Sequence, residues 1–127
     1  MFVIGQRDQI RFELENTPQN GLLQVEIWCA GLHVTYFDNH VHIPSFKHSM
    51  QCELERLQTV KQQSKQPVLR LGPTTDDASS SIKVKGSAAY IETNLSNGKK
   101  GSITIPLADL LNIYSKVITQ LEVTTSA

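Results

Sequence analysis

Residues 22–34 read LLQVEIWCAGLHV. Leu23, Val25 and Ile27 alternate with Gln24, Glu26 and Trp28, the period of a strand with one face in a core and the other facing away from it. Ala30-Gly31 turns the chain, and Val34 and Tyr36 resume the alternation. A two-residue loop at Ala30-Gly31 pairs Ile27 with Val34 and Val25 with Tyr36, so every apolar residue lands on one face. A slip of one residue would scatter them. The stretch therefore predicts an antiparallel meander.

Upstream, Ile10, Phe12 and Leu14 alternate with Arg11, Glu13 and Glu15, giving another half-buried strand before the turn cluster at residues 16–21. Downstream, residues 33–48, HVTYFDNHVHIPSFKH, hold all four histidines of the chain. Asp38-Asn39 suits a two-residue hairpin turn, which pairs Tyr36 with Val41 and Val34 with Ile43 in a short fourth strand. Pro44-Ser45 opens a helix with Ser45 as its N-cap, and Phe46, Met50, Leu54, Leu57 and Val60 follow at helical spacing. Pro67 closes it; residues 68–71 read as a short strand and residues 72–81 as a mobile loop.

Ile82 and Val84 then alternate with Lys83 and Lys85, with Gly86 as a bulge before Ala89, Ile91, Thr93 and Leu95 extend the same strand. A three-residue loop at Ser96-Asn97-Gly98, with Gly98 left-handed, pairs Ile91 with Ile103 and Ala89 with Ile105; a two-residue Asn-Gly loop spoils the faces. Pro106 opens a last helix whose stripe is Leu107, Leu110, Leu111, Tyr114, Val117, Ile118 and Leu121. Strands, helix, strands, helix predict one α+β domain over residues 1–127. Its architecture is an antiparallel sheet, an N-terminal meander plus a C-terminal hairpin, with two α-helices packed on one face.

Composition excludes several classes. The formal net charge is zero, so no global field recruits nucleic acid or an anionic membrane. Residues 1–57 carry seven acids and four bases, and residues 58–127 five acids and eight bases, a mild asymmetry of −3 against +3. No apolar run spans a bilayer, and the start MFVIGQRDQIRFELEN is no secretory signal, so the expected compartment is the cytoplasm. Cys29 and Cys52 are not in CxxC spacing and are expected as two free buried thiols.

The chain has no GxSxG elbow, HExxH, P-loop or GxGxxG. Cys29 with His33 makes a dyad on paper, but a Cys at the end of a core-facing strand belongs to packing. The meander register sends His33, His40 and His42 to the face away from the helices and makes His33 and His42 diagonal neighbours, a poor fit to three or four converging zinc ligands. His48 lies in the first turn of the helix. Lys83, Lys85, Lys99 and Lys100 cluster around one hairpin, where lysines guard sheet edges. The outward face stands out, since it holds the only Trp among acids and histidines. Glu13, Glu15, Glu26, Trp28, His33, Phe37, His40 and His42 are the candidate partner-binding residues. No catalytic residue, metal or cofactor is expected.

The phrases VIGQRDQIRFELEN, GLLQVEIWCAGLHVTYFDNHVHIPSFKHSMQCELERL and IKVKGSAAYIETNLSNGKKGSITIPLADLLNIYSKVITQL together resemble small bacterial immunity proteins of the WapI-like kind. The layout of strand meander, helix, long hairpin and closing helix covers most of the chain; the HVH segment and the GPTTDDASSS loop depart from it. The resemblance implies a non-enzymatic inhibitor that binds a cognate toxin of a polymorphic or contact-dependent growth inhibition system, with no nucleic acid or membrane as partner. Two other readings stand beside it: a small metal-dependent enzyme using His33, His40 and His42, and a homo-oligomeric accessory subunit that pairs through its sheet edges.

Overall fold

A computed structural model describes residues 1–35, 39–59, 69 and 78–126. The element order is β1 (Phe2–Gly5), β2 (Ile10–Leu14), β3 (Leu22–Cys29), β4 (Leu32–His33), β5 (His40–His42), α1 (Ile43–Thr59), β6 (Ala78–Lys85), β7 (Ala88–Leu95), β8 (Lys100–Pro106) and α2 (Leu107–Ser126). The fold is α+β. Its strands make two antiparallel sheets, five-stranded β1–β5 and three-stranded β6-β7-β8. Val60, Pro67 and the stretches 61–68 and 70–77 lie outside the described residues.

β3 organises the first sheet. Leu23, Val25, Ile27 and Cys29 are buried, as period-two alternation demands. The turn at Ala30-Gly31 has positive φ at both residues (55° and 79°), the signature of a primed two-residue hairpin. Cys29 pairs with Leu32, Trp28 with His33, and the Val34 amide bonds the Ile27 carbonyl at 2.8 Å. The Ile27–Val34 register is thus the one the apolar pattern selects.

Three expectations are corrected in this sheet. β5 does not pair with the strand before it; it returns to the same edge of β3, with Leu22 opposite His42, Leu23 opposite Val41 and Gln24 opposite His40. The eight-residue β3 offers more edge than β4 covers, and Val41 still faces the core there. Ile43, buried, begins α1 instead of ending a strand, and Ser45 lies inside the helix, its Oγ 2.8 Å from Nδ1 of His42. Pro44 takes a first-turn position, where its missing N–H costs nothing. β1, which sequence periodicity did not single out, forms an edge strand on β2, with Ile4 opposite Phe12 and Gly5 opposite Arg11.

The second sheet corrects two further expectations. Gly86 is no bulge: Gly86-Ser87 is the tip of a hairpin, with Lys85 opposite Ala88, so one long expected strand becomes β6 and β7. β6 begins at Ala78, so residues 78–81 are strand and not loop. The next hairpin has the expected three-residue loop, pairing Ile91 with Ile103 and Ala89 with Ile105, with Gly98 at φ 93°. Of the expected strand at residues 68–71, only Leu69 is described; it is buried and its amide bonds the Ser80 carbonyl at 2.9 Å.

The inward faces of both sheets and the stripes of both helices form one hydrophobic cluster. Phe12 of β2 meets Phe46 of α1 at 6.4 Å and, edge-on, Tyr114 of α2 at 6.1 Å between ring centroids. Glu53 is buried on α1 and accepts from Arg56 Nε at 2.5 Å. Burial first, then the charges of Glu53 and Cys29, push the Tyr114 phenol well above its ordinary value despite Arg56, so it stays neutral. The sheets meet where Thr93 donates to Cys29 Sγ at 3.0 Å and where a Cβ on Gly101 would come within 3.0 Å of the Ala30 Cβ.

Both cysteines are free, but only Cys29 is buried; Cys52 is exposed. Burial raises the Cys29 thiol to about 11, against a smaller lowering by the Thr93 hydrogen bond. A thiol-specific reagent at pH 8 should therefore modify Cys52 in the folded protein and reach Cys29 only after denaturation. Two equally fast thiols would contradict this packing. Gly5 sits at φ 88°, and a Cβ there would collide with the Ile10 carbonyl oxygen. Gly5→Ala should cost more than about 2 kcal/mol in urea unfolding, since strain and collision add.

Candidate functional site

Because β3 alternates strictly, Leu22, Gln24, Glu26 and Trp28 leave the core on one side, and their neighbours build a face that neither helix covers. Gly5, Arg11, Trp28 and His33 form one cross-strand row; Val3, Glu13 and Glu26 form the next. Glu15 continues the alternation of β2, and its amide bonds the Gln24 carbonyl at 3.0 Å. His40 lies opposite Gln24, and His42 opposite Leu22. Glu13, Glu26, Trp28 and His33 are therefore brought together, with Glu15, His40 and His42 further along the same face. Phe37 lies outside the described residues.

Trp28 is the centre of the array. His33 stacks on it at 4.5 Å with planes 15° apart, and the Arg7 guanidinium carbon lies 4.3 Å from the indole centroid. Such a cation–π contact contributes ~0.5–1 kcal/mol at a partly exposed site. The indole Nε1 is buried and has no hydrogen-bond partner among the described residues.

Glu13 and Glu26 stand directly opposite each other, which alone would be repulsive. Each is offset by its own partners, ion pairs for Glu13 and hydrogen bonds for Glu26. Glu13 is only 7% exposed, with Arg11 Nε at 2.6 Å and Arg7 at 3.5 Å from its Oε2. Glu26 accepts from His33, from Asn39 at 2.5 Å and from Thr35 at 3.0 Å, while Thr35 Oγ1 accepts the Ile27 amide at 3.0 Å. Burial raises the Glu26 carboxyl, but the hydrogen bonds from Asn39, His33 and Thr35 outweigh it and hold the group below its ordinary value.

The geometry weighs against two kinds of chemistry. A nucleophile–base–acid relay splits the two ring nitrogens of the base between its partners. Here His33 meets both Glu26 and Thr35 through Nε2, and the Thr35 hydroxyl donates to Glu26. The expected diagonal contact between His33 and His42 is also corrected. Since β5 pairs with β3, the two stand opposite Trp28 and Leu22, six residues apart, or ~20 Å at ~3.3 Å per residue. His40 is ~13 Å from His33 by the same measure. No group of three or more potential metal ligands converges among the described residues. His48, on α1, has Nε2 3.5 Å from Cys52 Sγ.

Arg7, Thr35 and Asn39 were not among the candidate residues. Arg7 sits in the β1–β2 turn, where no periodicity signals a role, and Asn39 reads in sequence as a hairpin turn residue. No protein-family model matches the chain, and no curated protein matches it.

Linkage gives this cluster a pH signature. A carboxyl held below its unfolded value of about 4.5 adds stability that is fully present above that pH and lost as pH falls through the folded value. Glu26→Gln should therefore be less stable than the wild type at pH 7, and the gap should close on acidification. Urea melts of both proteins across that range would show it; a gap that does not depend on pH would contradict the arrangement.

Proposed function

We propose that the chain is a non-catalytic immunity protein that binds a cognate bacterial toxin domain in the cytoplasm and neutralises it by occlusion, in a contact-dependent growth inhibition or similar system. The observation that carries this reading is the sheet face, covered by neither helix, on which Trp28 is held between His33 and Arg7 beside Glu13 and Glu26. Glu13 and Glu26 are engaged in local ion pairs and hydrogen bonds, which leaves them little for a chemical step. A rigid aromatic anchor with a polar surround is instead what a protein interface uses, because little side-chain entropy is lost on docking. The resemblance of the sequence to WapI-like immunity proteins suggests the class of partner. No described helix is long and apolar enough to cross a membrane, in keeping with a partner met in solution.

The proposal requires a toxin domain encoded beside this chain, and titration calorimetry against that domain tests it. The wild type should form a complex and protect cells that express the toxin. Trp28→Ala should weaken the complex about 100-fold, while Glu15→Gln, at the margin of the face, should change it less than threefold. A wild type that neither binds nor protects sinks the reading.

A further inference from the structure

The second sheet has an outward face of opposite character. On β7 the inward residues Ala89, Ile91, Thr93 and Leu95 are buried, which turns Tyr90 and Glu92 outward. Tyr90 is 43% exposed near the start of the middle strand, opposite Lys83 on β6 and Thr104 on β8. Lys85 and Lys100 are exposed on the same side of the sheet. None of these lysines has an ion-pair partner among the described residues, and Glu92 is the one acid beside them. The contrast is with the Trp28 face, where Glu13 is ion-paired with Arg7 and Arg11 and Glu26 accepts from His33, Thr35 and Asn39.

Edge lysines do guard sheets against pairing with other chains. A guard, however, needs no exposed aromatic between the two edges. Here Lys83 stands opposite a tyrosine that has no hydrogen-bond partner among the described residues, Lys85 follows Lys83 on β6, and Lys100 lies further along the same face, opposite Asn94, so the face pairs an apolar contact with unspent positive charge. We propose that the outward face of β6-β7-β8 docks an acidic protein segment, whose carboxylates meet Lys83, Lys85 and Lys100 while an apolar side chain packs on Tyr90. A single-stranded nucleic acid fits less well: one aromatic gives one stacking platform, and the chain as a whole carries no net positive charge. The face lies on a different sheet from Trp28, and the proposal does not rest on the toxin reading.

The test is fluorescence anisotropy of the full chain with three labelled probes: a short peptide of glutamates around one central leucine, the same peptide with glutamines, and an oligouridylate. The glutamate peptide should bind at least tenfold tighter than its glutamine counterpart, and ~0.5 M salt should remove most of that difference. Lys83→Gln/Lys85→Gln/Lys100→Gln and, separately, Tyr90→Ala should each lose tenfold or more, with unchanged circular dichroism because all four side chains are exposed. Trp28→Ala should bind the glutamate peptide as the wild type does. Equal binding of the two peptides, no binding of either, full retention in the Tyr90 variant, or tighter binding of the oligouridylate each overturns the proposal.

Discussion

Everything else in this protein is arranged around β3, whose two faces must meet opposite environments. Its inward residues Leu23, Val25 and Cys29 have no exposed surface, and Ile27 is 3% exposed. Its backbone is hydrogen-bonded on both edges, by β2 on one side and by β4 and then β5 on the other. Burying four such side chains is worth several kcal/mol at roughly 25 cal/mol per Å², so a one-residue slip that turned them outward would cost more than a small domain has to spare. The position of Trp28 and Glu26 on the outside follows from that packing demand.

The outer face then inherits a problem. Two carboxylates are set opposite each other on neighbouring strands, one of them almost wholly buried. Desolvating a carboxylate costs several kcal/mol unless donors replace its water. The chain supplies them from several places, Arg7 from the turn before β2, His33 from β4, Thr35 after it and Asn39 before β5, with the charge of Arg11 on β2 beside Glu13. The same Arg7 also lies over Trp28, so the ion-pair system and the aromatic stack are one assembly. An assembly tied from several elements has few rotamers left to lose, which is the property the proposed docking role requires.

How far the sequence is legible depends on whether a feature is decided by alternation alone. The Ile27–Val34 and Ile91–Ile103 registers are so decided, because any other pairing puts charge in the core. The placement of β5 is not. Pairing with β4 and pairing with β3 both keep Val41 on the inner face, so the pattern is blind to the choice, and the free edge of β3 decides it. Gly86 is ambiguous for a similar reason, since bulge and turn both take a glycine. Cys52 shows a different lapse. It lies ~200° round the helix from Met50, off the stripe of Phe46, Met50 and Leu57, and helical geometry outranks the usual preference of cysteine for the interior. Of the candidate site, the sharing of a face could be read from period two. The contacts that lock it could not, because Arg7 and Asn39 act from turns.

The two outward faces therefore differ in how they hold their charge, and that difference has a physical consequence. On the Trp28 face Glu13 is paired with Arg7 and Arg11, and Glu26 is hydrogen-bonded by His33, Thr35 and Asn39, so much of the interaction of these two acids is local. Affinity built there must come from the fit and burial of the aromatic centre, and it resides mainly in how slowly a complex separates. On the Tyr90 face the lysines are unspent, so their field extends into solvent, speeds encounter and falls with ionic strength. One small chain with zero net charge thus carries a short-range surface and a long-range one, kept apart because β1–β5 and β6-β7-β8 each turn only one face inward.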